Sequence, residues 1–161
     1  MNEKIAEILK RHPEGGEKFF DALDLMIRSD QDILKSYIDW VFRQLVLTEN
    51  ICCVVTGSFG RVLVSLYGDT LYKKFRQVII VNGGIRSGNP VELPINNLSQ
   101  LYSKKIILLD DSYYSGKTCR EIEKKLQKLD YTITFNDIYV IYDGSKEKSD
   151  KVKSMFRYYG D

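Results

Sequence analysis

The sequence predicts an α/β fold built on a parallel sheet. Three observations lead there. Four short apolar runs rich in β-branched residues are spaced along the chain: 51–56, 78–81, 106–109 and 138–142. Segments with helical apolar spacing lie between them. Each run ends in glycine or acidic residues: Gly57, Asn82-Gly83-Gly84, Asp110-Asp111 and Asp143-Gly144. Continuous apolar runs, without inside–outside alternation, are strands buried on both faces, as in parallel sheets flanked by helices.

The elements follow in order. Ile5, Ile8 and Leu9 give a first helical pattern, which Pro13 and Gly15-Gly16 interrupt. Phe19, Phe20, Leu23, Met26 and Ile27 mark a second helix. Ser29 or Asp30 is a candidate cap for a third, with Ile33, Ile38, Val41, Phe42 and Leu45 on its apolar face. Residues 1–47 therefore read as an N-terminal helical segment, and 48–161 as the α/β core. Within the core a helical pattern runs from Gly57 to about Tyr72, and another places Cys119, Ile122, Leu126 and Leu129 inward. A last helix is expected over about 147–157. The long stretch 82–103, with Pro90 and Pro94, reads as a functional loop.

Composition bounds the function. At 161 residues the chain is one domain, with a core that needs no disulfide or metal staples. A net charge of +2 argues against a dedicated duplex-DNA binder, and no aromatic–basic interleaving points to single-stranded nucleic acid. The charge is divided: residues 1–50 carry 7 Lys and Arg against 10 Asp and Glu, and residues 51–161 carry 17 against 12. Cys52, Cys53 and Cys119 have no metal-ligand spacing, and the first two face opposite sides of a strand. The odd cysteine count, the lack of an apolar signal core at Met1–Lys4 and the lack of a membrane-length apolar run lead to the expectation of a reduced, cytoplasmic protein with no membrane partner. The one histidine, His12, reads as a solvated loop residue.

In parallel sheets ligands bind at the carboxyl ends of the strands. One segment there combines several chemistries: Ile106–Leu109, then Asp110-Asp111-Ser112-Tyr113-Tyr114-Ser115-Gly116-Lys117-Thr118. Two carboxylates can accept hydrogen bonds from vicinal hydroxyls. The helix N-terminus that follows offers free N–H groups and a positive dipole end to a phosphate. Ser115 and Thr118 add hydroxyl donors, and Gly116 permits close backbone approach. Sugar hydroxyls at one end and phosphate at the other describe a sugar phosphate.

This segment resembles the phosphoribosyl pyrophosphate (PRPP) motif of the type I phosphoribosyltransferases: four apolar residues, two acidic, three variable, then Thr/Ser-Gly-x-Thr/Ser. It aligns without a gap, and the resemblance extends over about residues 48–145. It implies that Asp110 and Asp111 hold the ribose hydroxyls and a Mg²⁺ ion, and that Ser115, Gly116, Lys117 and Thr118 hold the 5′-phosphate. Thr56–Arg61 stands where the family has its pyrophosphate loop, so Gly57, Ser58, Phe59, Gly60 and Arg61 become pyrophosphate-binding candidates. Residues 83–97, with Arg86, stand where the family has its mobile catalytic loop. Residues 1–47 become the hood over the base, with Tyr113 and Tyr142 as base contacts.

The implied reaction is transfer of 5-phosphoribose from PRPP to a nucleobase or related nitrogen base, with Asp110, Asp111 and Arg86 in catalytic roles. A homodimer is compatible with the sequence. Two positions depart from the family. Ser112 replaces the usual Val or Ile, and Tyr114 stands where the 6-oxopurine members carry an Asp. These departures keep open, as the alternative, a non-catalytic PRPP- or nucleotide-binding regulator on the same fold. A degenerate protein-interaction module fits less well, because both carboxylates are kept. The tail Gly116-Lys117-Thr118 is not a Walker A loop, since Asp111 occupies the required upstream glycine position. A response-regulator receiver is excluded because its acidic pair ends the first strand, and only about 50 residues follow Asp111 here.

Overall fold

The computed structural model describes residues 3–11, 21–23, 25–26, 29–46, 50–84, 89–92, 105–130 and 132–157. Helix α1 spans Glu3–Arg11 and α2 spans Gln31–Gln44. The Asp30 side chain caps α2 by accepting from the backbone N–H groups of Asp32 (3.0 Å) and Ile33 (3.3 Å). Strand β1 (Ile51–Thr56) leads directly into α3 (Gly57–Lys74), which is broken at Tyr67 by a non-helical backbone. Then come β2 (Gln77–Gly84), β3 (Asn89–Glu92), β4 (Lys105–Tyr113), α4 (Lys117–Leu126), β5 (Asp137–Asp143) and β6 (Val152–Arg157).

The six strands form one sheet in the order β3-β2-β1-β4-β5-β6. Five are parallel, and β3 pairs antiparallel on the outer side of β2. Alternate residues of β1 serve opposite faces, as expected for the cysteine pair. Cys53 and Val55 join a core with Leu63 and Leu71 of α3 and Ile33, Tyr37 and Val41 of α2. Cys52 and Val54 join a second core with Cys119, Ile122 and Leu126 of α4. Burying each aliphatic side chain of this kind stabilises the fold by about 1.5–3 kcal/mol. Helix α2 is thus a layer of the domain, sharing its core with α3 and the sheet.

This layering positions the site. From β1 the chain crosses to β2 on one side through α3. From β4 it crosses to β5 on the other side through α4. Right-handed crossovers in opposite directions put the two helices on opposite faces. The strand order therefore reverses between β1 and β4, and a crevice opens beyond their carboxyl ends.

Three sequence expectations change. The helix expected over about 147–157 is strand β6 across Val152–Arg157, paired in parallel with β5. Its apolar residues, Val152, Met155 and Phe156, also suit a helical face, but the open edge of β5 supplies a full ladder. The stretch expected to be loop contains β3, which pairs Asn82 with Glu92 and Gly84 with Asn89. Leu129 lies beyond the end of α4 and is 39% exposed, so it does not face inward. The predicted residues Phe19, Phe20 and His12 lie outside the described residues, as do residues 85–88 and 93–104. Among the described residues no helix is long and apolar enough to cross a membrane.

Candidate functional site

The two segments singled out by sequence meet at the reversal of strand order. Strands β1 and β4 are paired through Val55 and Leu109, so Thr56-Gly57 and Asp110-Asp111 follow side by side where the two strands part. On the β1 side, Gly57 takes φ +66°, the left-handed conformation that turns the strand at once into α3. Gly60 brings the first turn of α3 onto the strand: a Cβ there would lie 3.0 Å from the carbonyl carbon of Val55. Phe59 is buried in the core, while Ser58 is half-buried and Arg61 exposed. The Arg61 guanidinium reaches across to β2 and donates to the Asn82 side-chain oxygen at 3.3 Å.

On the β4 side the strand runs further than its apolar sequence. It continues through Tyr113 because Ser112 and Tyr113 pair with Tyr142 and Asp143 of β5. Asp110 and Asp111 thus sit inside a strand, both half-buried. Beyond Leu109 no β1 pairing continues, and the Asp111 N–H is taken up by the Asp110 carboxylate at 2.8 Å. Ser112 Oγ lies 3.3 Å from the Asp111 carboxylate.

The chain then turns at Gly116, with φ +76°, into α4. Ser115 and Lys117 are exposed, Thr118 is half-buried and Gly116 is buried. Arg120, one turn into α4, donates to the Ser115 carbonyl at 2.9 Å and braces this turn. Its role has no signal in the motif, because it lies two residues past it.

The electrostatics of the helix ends distinguish the two crevice helices. Helices α1 and α2 each carry an acid in the first turn, Glu3 and Asp32. Helices α3 and α4 carry none, and neither Thr56 nor Gly116 supplies a side-chain cap. No acid in the first turn offsets either N-terminal dipole, and at α4 the Lys117 N–H meets only the Ser115 hydroxyl at 3.5 Å, an arrangement that favours anions.

The tyrosines separate. The Tyr113 ring packs toward Cys119 and the second core, with its hydroxyl against Gly116. Tyr142 is 1% exposed and packs on Phe156 and Tyr114, so as placed its ring offers no face to a ligand. Tyr114 is 36% exposed and closes over Gly144, making it the open ring at this edge. Asp143 is buried. It accepts from Ser145 and lies 3.4 Å from Arg157 of β6, so it serves the loop after β5. Arg86 lies outside the described residues.

One further residue, unmarked by sequence, joins α2 to the sheet and to the turn after β1. Tyr37 of α2 is fully buried. Its hydroxyl donates to the Tyr139 carbonyl at 2.6 Å. Burial, with the Asp110 charge next, pushes the phenol well above its ordinary pKa and keeps it protonated. The available signal was a tyrosine inside an apolar helical stripe, since a buried hydroxyl needs a partner.

Among the described residues no cluster of three or more His, Cys, Asp or Glu side chains could hold a metal ion by itself. Asp110 and Asp111, neighbouring half-buried carboxylates, are the donors that could hold a Mg²⁺ ion together with a phosphate ligand.

No family model matches the chain, and no curated protein matches it. Solved structures match in fold. A purine phosphoribosyltransferase from Pyrococcus horikoshii superimposes with a TM-score of 0.52 at 16% identity, over 78% of this chain and 83% of that one. A xanthine-guanine-hypoxanthine phosphoribosyltransferase from Helicobacter pylori gives 0.49 at 15% identity, over 80% and 85%. A Staphylococcus aureus hypoxanthine phosphoribosyltransferase gives 0.45 at 15%, over 80% and 75%. The class defined here is an α/β protein with its crevice at the reversal of strand order. Its fold is that of the type I phosphoribosyltransferases, and the PRPP-like motif lies at the mouth of the crevice.

Proposed function

We propose that this protein transfers 5-phosphoribose from PRPP to a nitrogen base and releases pyrophosphate. The observation that carries the reading is the meeting of two unlike anion-favouring turns at one crevice. Gly57–Arg61 lies on the β1 side, and Asp110–Thr118 on the β4 side.

In this reading the 5′-phosphate rests on the start of α4, against the N–H groups of Gly116, Lys117 and Thr118, with Ser115 adding its hydroxyl. Asp110 and Asp111 accept from the ribose hydroxyls and would hold a Mg²⁺ ion, which would offset charge on the leaving pyrophosphate. The pyrophosphate lies on the start of α3, where Arg61 offsets its charge; Arg86 is the second candidate for that role, from the family resemblance alone. The bond from the anomeric carbon to the pyrophosphate oxygen breaks, and pyrophosphate keeps the electron pair. A bond from the base nitrogen to that carbon forms, and the base loses a proton. The contribution of the chain is orientation and charge, applied where pyrophosphate becomes more negative. Tyr114 takes the place at the base end for which Tyr113 and Tyr142 were expected.

Incubation with PRPP, Mg²⁺ and a panel of purine, pyrimidine and other nitrogen bases tests the reading through pyrophosphate release. Release with at least one base supports transfer. Ser112 and Tyr114, the two departures from the family's motif, support a second reading: a PRPP- or nucleotide-binding regulator. Thermal stabilisation by Mg-PRPP with no release from any base selects that reading. No stabilisation and no release would overturn both.

A further inference from the structure

We infer that Arg120 of α4 is a positioning residue: by holding the Ser115 carbonyl it fixes the direction of the Gly116 N–H, a donor assigned to the 5′-phosphate. The inference rests on the proposed PRPP site for its sugar-phosphate ligand, and on the geometry of the turn for the holding itself.

Arg120 takes two consecutive carbonyls. Its backbone N–H donates to the Gly116 carbonyl at 3.0 Å, the bond that opens α4. Its guanidinium Nη1 donates to the Ser115 carbonyl at 2.9 Å. The two bonds differ in kind. Any residue except proline makes the first, because the helix supplies it. The second needs a long side chain with a donor at its end, reaching back five residues.

That second bond sets a direction. The Ser115–Gly116 peptide is trans and planar, so its C=O and N–H point in opposite directions. Anchoring the Ser115 oxygen on Arg120 therefore turns the Gly116 N–H away from Arg120. Gly116 does not hold this peptide by itself. At φ +76° it lacks the Cβ that restricts other residues. Two neighbouring side chains occupy that space instead: a Cβ on Gly116 would lie 3.0 Å from Arg120 Nη1 and 2.6 Å from the Tyr113 hydroxyl oxygen. The Ser115 hydroxyl is a weaker restraint, 3.5 Å from the Lys117 N–H.

The test uses the full chain, ¹⁵N-labelled, as wild type, Arg120→Lys and Arg120→Met. Arg120 is exposed, so both variants should fold, and circular dichroism checks this. NMR relaxation of the ligand-free protein reads the Gly116 N–H directly. Its order parameter is expected near about 0.85 in wild type and to fall toward about 0.6 in Arg120→Met, while Ile122 keeps its wild-type value. Titrations then follow ribose 5-phosphate, Mg-PRPP and inorganic phosphate at the amides of 116–118, and Mg-pyrophosphate at those of 57–61. Arg120→Met should weaken ribose 5-phosphate about tenfold, the scale of one hydrogen bond to a charged group, and leave Mg-pyrophosphate at the wild-type level. Arg120→Lys keeps the charge on a flexible stem and should be intermediate in both order and affinity.

Affinity thus follows Gly116 order across the three proteins. Lost affinity with wild-type order would overturn the inference, because Arg120 would then touch the phosphate itself. Wild-type affinity in Arg120→Lys with lowered order would also overturn it, because charge alone would then suffice. Unchanged affinity in Arg120→Met, or equal weakening of Mg-pyrophosphate, would do the same. Inorganic phosphate separates this inference from the proposed function. A turn that takes inorganic phosphate in the same Arg120-dependent way, but neither ribose 5-phosphate nor Mg-PRPP, keeps the role of Arg120 and removes the PRPP reading. A turn that takes none of the three overturns both.

Discussion

The Tyr113 hydroxyl lies against the α-carbon of Gly116, so close that a Cβ on Gly116 would come within 2.6 Å of its oxygen. The same glycine holds φ +76°. Gly116→Ala therefore meets two penalties, a left-handed backbone and a clash, and should destabilise the domain by about 2–4 kcal/mol. Chemical denaturation measures this. Adding Tyr113→Phe removes the nearest oxygen and should recover part of the loss; no recovery would show that the contact is not the cause.

The two glycines of the β1 turn should behave differently. A Cβ on Gly57 would meet nothing within 4 Å, so Gly57→Ala carries only its conformational penalty of about 1–2 kcal/mol. A Cβ on Gly60 would sit 3.0 Å from backbone of β1, which cannot swing aside. Gly60→Ala must push α3 off the strand, and its expected cost is about 1–3 kcal/mol with loss of Mg-pyrophosphate affinity. Stability and calorimetric binding of the two variants, measured side by side, check this contrast.

Asp30 makes the anchoring of α2 sensitive to acid. The hydrogen bond from Lys4 holds the Asp30 carboxyl below its ordinary value, with partial burial opposing and the Ile33 N–H adding to the effect. A carboxyl depressed in the folded state stabilises above its unfolded pKa of about 3.9, and that contribution is lost as pH falls through the folded value. Asp30→Ala should cost about 1 kcal/mol at neutral pH as a lost helix cap. The difference between wild type and variant should shrink below about pH 4 in urea unfolding at a series of pH values.

The three thiols should be inert while the protein is folded. All are buried. Burial pushes the Cys52 thiol up to about 12 and raises Cys53 and Cys119 as well, so none is a thiolate at pH 8. A disulfide reagent should find no fast-reacting thiol in the native protein, and all three after unfolding. Rapid native labelling of Cys119, on the first turn of α4, would show that this face of the crevice opens.

The strands that could be read in the sequence were those buried on both faces. Runs such as Ile106–Leu109 have to be apolar on every residue, and that demand is visible without coordinates. What escaped depends on partners far away in the chain. Strand β4 continues over Asp110–Tyr113 only because β5 pairs with it, and a polar sequence carries no mark of that. Strand β6 has apolar residues at 152, 155 and 156, a spacing a helix shares, and its assignment came from the free edge of β5. The candidate site was legible where chemistry is local, in the acidic pair and the Ser115–Thr118 turn. Arg120 and Tyr37 act through backbone groups brought to them by folding, which motif spacing cannot encode.

In the proposed reaction the crevice between β1 and β4 receives Mg-PRPP through Asp110 and Asp111. Calorimetric titration of Mg-PRPP into wild type and into Asp110→Asn/Asp111→Asn tests it most directly. Wild type should bind saturably, and the double variant, still folded, should bind about hundredfold more weakly. Unchanged affinity in the folded double variant, or no binding to wild type, would contradict it.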